Sequence, residues 1–182
     1  MIAHPMRCAR SAGVALLATA LLGGCTSFSS DGGMDAVSGM TSQALKADVV
    51  ALRGDDDIAA AEAKVAALLR RPLTADAAVQ IALLNNRDLQ AAYDELGIAE
   101  AARLRASLPA APRFSLSRLA GGGGFEIEAQ VVGNILSLAT LPARANIASD
   151  RFRQAQLRAA EATLRTGFEA RRAFADAVAS RQ

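Results

Sequence analysis

The sequence is poor in the residues that most often carry catalysis or bind metals. One of its 182 residues is His and two are Cys, and Trp is absent. His4 and Cys8 both lie in an N-terminal stretch that has the features of a cleaved leader, so the mature chain would hold no His and one Cys. This argues against His-based acid–base catalysis, Ser/His or Cys/His nucleophiles, Cys/His zinc sites and an internal disulfide. We therefore expect no catalytic residue, no cofactor and no metal site.

Aromatic residues and excess charge are also scarce. Aromatics make up 4% of the chain and Ala is its commonest apolar residue, so we do not expect a large globular core. The leader carries Arg7 and Arg10 and no acidic residue, so its removal makes the totals of 20 Lys+Arg and 18 Asp+Glu equal. Binding to nucleic acid requires a cationic excess that neutralises phosphates. Nucleic acid is therefore not an expected partner.

Residues 1–24 are predicted to be a lipoprotein signal peptide. Two arginines precede an apolar run at 13–22, which is half of the roughly 20 residues that a helix needs to cross a bilayer. The motif Leu22-Gly23-Gly24-Cys25 resembles the bacterial lipobox, which implies lipidation of Cys25 and stable membrane anchoring. Because Thr26 rather than Asp follows, sorting to the outer membrane is expected. An ordinary secretory leader with an incidental Cys is the alternative.

The next two segments are predicted to differ in order. Residues 25–56 are rich in Ser, Gly and Asp and are predicted to be a flexible tether, apart from one weak helical stretch at 43–53. Residues 57–111 are predicted to form helices. Their expected bounds are Ile58–Arg71, which Asp57 caps and Pro72 ends; a second helix, which Thr74 caps and which breaks near Asn85-Asn86; and Asp88–Ser107.

Residues 112–133 are predicted to form a β-hairpin, because the apolar period changes there from about 3.6 to about 2 residues. Two alternating runs flank four glycines, and with its flanks each strand has about nine residues, close to the length of a tilted transmembrane strand. A hairpin that packs one face on a soluble core is the alternative. The predicted lipid-facing residues are Phe114, Leu116, Phe125, Ile127, Ala129 and Val131, and the predicted lumen-facing residues are Ser115, Ser117, Glu126, Glu128 and Gln130.

Three clusters could carry chemistry but have a simpler interpretation. The glycines at 121–124 lack the Lys and Ser/Thr of a phosphate-binding loop. The acidic run at 55–57 is interpreted as a cap and a solvated loop. Glu126 and Glu128 form a conceivable carboxylate pair, yet no nucleophile or partner acid is nearby in the sequence, so a polar lining is favoured.

Residues 134–182 are predicted to form one long periplasmic helix, incomplete where the chain ends, with Thr140 as its cap and Pro142 in its first turn. Two stripes follow it at alternating steps of four and three, the spacing of coiled coils. Two stripes predict neighbours on two sides. The first contains Ala148, Phe152, Ala155, Ala159, Ala162 and Thr166, and the second contains Leu157, Leu164, Phe168, Phe174 or Ala175, and Val178.

The order of these features resembles the TolC-type outer-membrane efflux proteins. The resemblance covers about 72–179 and rests on the ordered set LTADAAVQIALLNNRDL, LPAAPRFSLS, the glycine loop, FEIEAQ and the long Ala-rich helix, with Arg87 where the family commonly has Pro. It implies a mixed α and β membrane fold, in which a homotrimer shares one β-barrel and a periplasmic α-barrel of long helices. The second repeat of the family is missing, so the chain is expected to be a truncated N-terminal half.

The resemblance also implies a function. The expected role is an outer-membrane channel component of a tripartite efflux system, which docks with an inner-membrane pump through a periplasmic adaptor and exports small molecules or metal ions. The alternative is a periplasmic adaptor-type lipoprotein, which also combines an acyl anchor with projecting helices. An adaptor would place a compact strand-rich domain beside a helical hairpin, and the sequence shows no such flank.

Overall fold

The computed structural model describes residues 28–121 and 124–181. The longest element has 39 residues and would measure about 58 Å at ~1.5 Å per residue. The elements of the described chain are, in order, α1 (Met34–Leu45), α2 (Asp55–Leu69), α3 (Ala75–Asn85), α4 (Arg87–Ser107), β1 (Arg113–Gly121), β2 (Gly124–Val132), α5 (Ile135–Ala139) and α6 (Leu141–Ala179).

Side-chain caps define the starts of the middle helices. The hydroxyl of Thr74 accepts a hydrogen bond of 3.2 Å from the first turn of α3, and Oδ1 of Asn86 accepts one of 3.1 Å from the first turn of α4. These bonds confirm the predicted Thr74 cap and the predicted break between the two helices. The start of α2 was predicted wrongly, since the helix begins at Asp55. Asp57 lies inside it and accepts a bond of 3.0 Å from the backbone of Arg53.

The long helix α6 is the centre of the helical core, and α4, α3 and α1 pack on it. Tyr93 bonds to Thr163, and Arg103 lies over the ring of Phe152, so α4 runs antiparallel to α6. A hydrophobic core lies between these helices. Its buried residues are Met34, Val37, Leu45, Ala47, Val49, Val79, Leu83, Leu89, Tyr93, Leu96, Ala155, Ala159 and Ala160.

The two stripes of α6 have different surroundings. Ala155 and Ala159 of the first stripe are buried against the other helices, so the predicted neighbours on that side belong to the same chain. The second stripe is largely open, with Leu157 52% and Phe168 51% exposed. Within the part of the chain that the structure describes, no element covers those two side chains.

The predicted tether is wrong for residues 28–56. This segment contains α1, in which Val37, Thr41 and Leu45 are fully buried at helical spacing against α6. The predicted helical stretch at 43–53 is also wrong, because α1 ends at Leu45 and no helix or strand follows before Asp55. Ser and Gly dominate the composition here, but a few apolar residues on one helix face are sufficient for burial.

The predicted fold class, a mixed α and β membrane protein with a shared barrel, is wrong. The described residues form a mainly helical fold, and their only sheet is the antiparallel pair β1 and β2. The physical reason is that the buried apolar residues of the described part lie between helices, whereas the two strands pair only with each other. None of the described helices combines the length and apolarity needed to cross a bilayer.

Candidate functional site

The hairpin pairs its two alternating patterns in register near its base. Phe114 is opposite Val131 and Leu116 is opposite Ala129, while Ser115 is opposite Gln130. Directly opposite positions of an antiparallel pair lie on the same face. The apolar positions of the two strands therefore fall together, as do the polar ones, including Ser117 opposite Glu128.

The separation of the two patterns is lost toward the turn. Arg118 is opposite Ile127 and Leu119 is opposite Glu126, so a charged position enters the apolar set and an apolar position enters the polar set. Ala120 is opposite Phe125 at the last pair before the glycines. The register thus places all six predicted lipid-facing residues on one face and all five predicted lumen-facing residues on the other, and it adds Arg118 and Leu119, which the sequence assigned to neither face. Whether the faces meet lipid and lumen stays a prediction.

The base of the apolar face is open to solvent. Phe114 is 68% exposed and Leu116 is 64% exposed. The hairpin makes no substantial contact with any described helix. The alternative of a hairpin packed on a soluble core therefore finds no support among the described residues.

A second candidate region holds the N-terminal segment on the helical core. Its centre is Glu100 of α4, whose side chain is fully buried. Oε1 of Glu100 accepts bonds of 2.7 Å from the backbone N–H of Ser29 and 2.8 Å from its hydroxyl. Nη2 of Arg103 lies 3.4 Å from the same oxygen, and its guanidinium stands 5.4 Å above the ring of Phe152. A buried carboxylate therefore ties Ser29 to α4 and α6.

A tight turn continues this attachment into α1. Gly33 has a φ of 84°, and a Cβ there would come 2.6 Å from the ring of Phe152. Its carbonyl accepts a bond of 3.2 Å from Gln156 on α6. Asp31 accepts a bond of 2.6 Å from the backbone N–H of Asp35, and this bond lowers the pKa of Asp31 below its usual value. The turn therefore needs glycine at this close approach to α6.

The side chains of two glutamines form hydrogen bonds with the backbone of the segment that follows α1. Gln80 accepts a bond of 2.8 Å from the backbone N–H of Asp48 and donates one of 3.0 Å to its carbonyl. Gln90 accepts a bond of 2.9 Å from the N–H of Leu52 and donates one of 3.3 Å to the carbonyl of Val50. These side chains satisfy backbone groups that a β-strand neighbour would otherwise satisfy.

The contacts along α6 define the direction of the N-terminal segment. Gly33, at the start of α1, lies beside Phe152, whereas Leu45, at its end, lies beside Gly167. The segment therefore runs along α6 away from Leu141, the end of the helix that is nearest to the hairpin in the chain.

Tyr93 lies at the centre of the contact between α4 and α6. Its hydroxyl is 2.8 Å from the hydroxyl of Thr163, which also donates a bond of 2.7 Å to the carbonyl of Ala159. Burial raises the pKa of Tyr93 above 10.0, and the hydrogen bond with Thr163 offsets part of this rise. This pair satisfies polar atoms inside the core.

The residues that the sequence singles out for chemistry remain apart from these contacts. The acidic residues 55–57 lie at the first turn of α2. In residues 28–121 and 124–181, no three His, Cys, Asp or Glu side chains come close enough to hold a metal ion. Cys25 and the residues 1–24 lie outside the described residues, as do the two central glycines of the loop.

Sequence reasoning missed Glu100, although a signal for it exists. Leu89, Tyr93, Leu96 and Glu100 follow one another at steps of four, three and four, and all four are buried. A carboxylate on an apolar helical stripe indicates a buried partner. Gln80 and Gln90 carry no such signal, because single glutamines are ordinary on helices.

Comparison with known protein families, with characterised proteins and with solved structures finds no match to this chain.

Proposed function

We propose that the protein is a lipid-anchored outer-membrane component of an efflux system that exports small molecules or metal ions. The observation that carries the proposal is the place at which the N-terminal segment is held. Ser29 is bound by Glu100, seven residues before α4 ends at Ser107 and the chain enters the hairpin. A lipid on Cys25 and the hairpin would then face one membrane.

The distance between the anchor and the core is short. Cys25 precedes Ser29 by four residues. An extended chain covers at most ~3.6 Å per residue, so a lipid on Cys25 would be held within about 14 Å of Ser29. Because Glu100 binds Ser29, the lipid would bring the hairpin end of the helices close to the membrane surface.

The exposed parts of the hairpin support a role in an assembly. Phe114 and Leu116 are open to solvent, and both strands have an edge that is unpaired within the described residues. Unpaired edges and exposed apolar faces are surfaces on which proteins associate. The partners proposed from the sequence resemblance are further copies in a homotrimer, a periplasmic adaptor and an inner-membrane pump.

Lipidation and location test the first half of the proposal. Cys25→Ala should abolish palmitate labelling and remove the chain from the outer-membrane fraction, because the acyl anchor is lost. The matched control is Cys8→Ala, which lies in the leader and should leave labelling unchanged. Labelling that persists in Cys25→Ala would contradict the anchor, and recovery of the wild-type chain with the inner membrane would favour the adaptor alternative.

Transport tests the second half. Deletion of the gene from its own genome should raise the accumulation of fluorescent efflux substrates or of metal ions in the cells. The wild-type gene should restore export, and the Cys25→Ala gene should restore it less well. Unchanged accumulation of every tested compound would contradict a role in efflux, even if the chain is lipidated.

A further inference from the structure

Arginines recur along α6 at every seventh position. The row consists of Arg144, Arg151, Arg158, Arg165 and Arg172. A step of seven residues returns to nearly the same side of a helix, about 10.5 Å further along its axis. The row therefore follows one side of α6 while winding slowly around it, by about 20° at each step.

The middle of the row forms no ion pair among the described side chains, although Glu95 of α4 lines the same groove as Arg151 and Arg158. Arg172 pairs with Asp176 on its own helix at 3.9 Å, and Arg144 donates a bond of 2.9 Å to the carbonyl of Ser137. Among residues 28–117 and 133–181, whose side chains the structure describes, no carboxylate oxygen lies within 4 Å of Arg151, Arg158 or Arg165. All three side chains belong to exposed residues.

The first three arginines border a groove between α4 and α6, with a volume of about 800 Å³. Ile98 on the α4 side is 71% exposed and Ile147 on the α6 side is 54% exposed. Ala102 and Ala148 also line the groove, and their small side chains allow a close approach of another backbone. From Arg144 to Arg158 the groove runs about 21 Å, the length of four helical turns.

We propose that this groove binds an amphipathic helix that carries a carboxylate at every seventh residue. The apolar side of that helix would cover Ile98 and Ile147. Its carboxylates would repeat with the same step of about 10.5 Å as the arginines and so pair with Arg144, Arg151 and Arg158. Charged residues that flank an apolar seam at heptad spacing determine which helices pair and in what orientation.

A second copy of this chain fits the groove poorly. In none of the described helices do acidic residues occupy three successive positions at seven-residue steps. Two successive positions occur in α2, at Asp55 and Glu62, in α4, at Asp88 and Glu95, and in α6, at Glu169 and Asp176. Charge complementarity along the whole groove therefore favours a helix from a different protein.

The test uses a designed peptide of ~21 residues, three heptads with Leu at the seam and Glu at one flanking position of each heptad. A second peptide has the same composition but places Glu on the side opposite to the seam. The full chain, purified in detergent, is titrated into each labelled peptide, and fluorescence anisotropy gives the affinity. We expect the first peptide to bind at least about tenfold more tightly, with an affinity that falls as salt increases.

Two variants on one helix separate the groove from general surface charge. Arg151→Glu should weaken binding of the first peptide by about five- to tenfold, because attraction becomes repulsion. The matched control is Arg153→Glu, an exposed arginine outside the groove, which should change the affinity by less than about twofold. A peptide with Lys in place of Glu should bind Arg151→Glu more tightly than the wild-type chain.

Several outcomes would overturn the proposal. Equal affinity for the two peptides, no binding of the first peptide, or equal effects of Arg151→Glu and Arg153→Glu would each show that the arginine row does not select a helix. Sedimentation of the chain provides a further measurement. If it self-associates and Arg151→Glu dissociates the oligomer, a second copy occupies the groove instead.

Discussion

The contact between Leu45 of α1 and Gly167 of α6 allows a stringent test of how the N-terminal segment is held. Leu45 is fully buried. A Cβ at position 167 would come 2.5 Å from Cδ2 and 2.9 Å from Cδ1 of Leu45. The leucine side chain therefore rests on the backbone of α6, where only glycine leaves room for it.

The expected changes in the free energy of unfolding follow from this contact. Leu45→Ala should cost about 2–5 kcal/mol through a buried cavity. Gly167→Ala alone should gain about 1 kcal/mol of helix propensity and lose about 1–3 kcal/mol to overpacking. In the Leu45→Ala background the overlap is gone and the new methyl fills part of the cavity, so Gly167→Ala should stabilise by about 2 kcal/mol. The coupling between the two sites should therefore be about 2–4 kcal/mol.

Urea unfolding of the full chain in detergent, followed by helical circular dichroism, measures these four free energies. The control is Met40→Ala on the same helix, at a residue 44% exposed, which should change the stability by less than about 0.5 kcal/mol. If Gly167→Ala has the same effect in both backgrounds, Leu45 does not lie against Gly167. If Leu45→Ala has no cost, the segment is the tether that its composition predicts.

Three further changes test single contacts. Glu100→Ala should lower the free energy of unfolding by about 1.5–3 kcal/mol and speed hydrogen exchange at the Ser29 amide. Unchanged exchange would exclude the hydrogen bond between Ser29 and Glu100. The raised pKa of Tyr93 means that the unfolded state loses its proton first. The free energy of unfolding should therefore fall as the pH rises above about 10, and Tyr93→Phe should remove that fall. Because the chain has one Tyr, the ultraviolet absorbance of phenolate reports the titration of Tyr93 directly. An ordinary pKa for Tyr93 would contradict its burial. Thr74→Ala should lower the free energy of unfolding, measured in urea, by about 1 kcal/mol. Thr140→Ala should lower it by less, because Thr140 makes no side-chain cap bond to α6. Equal decreases would contradict the cap at Thr74.

Local signals predicted most helix and strand bounds. Thr74 and Asn86 are cap residues, and their side chains bond to backbone N–H groups within three residues. The hairpin follows from alternation over adjacent residues, and both of its strands lie within the predicted range 112–133. Such features depend on neighbours in the sequence, so they can be predicted without knowledge of the tertiary fold.

The attachment of the N-terminal segment could not be predicted in the same way. Ser29 bonds to Glu100 across 71 positions, and Gln80 and Gln90 bond to backbone groups 32 and 38 positions away. The composition of this segment favours disorder, and its few apolar residues stabilise it only because they are buried against α6. Long-range hydrogen bonds of this kind leave no periodic trace in a sequence.

By itself, the sequence determined that the long helix has two stripes and that the hairpin has two kinds of position. Only the tertiary structure decided what covers them. It buries Ala155 and Ala159 against helices of the same chain and leaves Leu157 and Phe168 open. The physical reason is that periodicity marks a face that favours burial but carries no information about which surface will bury it. That choice depends on the shapes and distances of segments far apart in the chain.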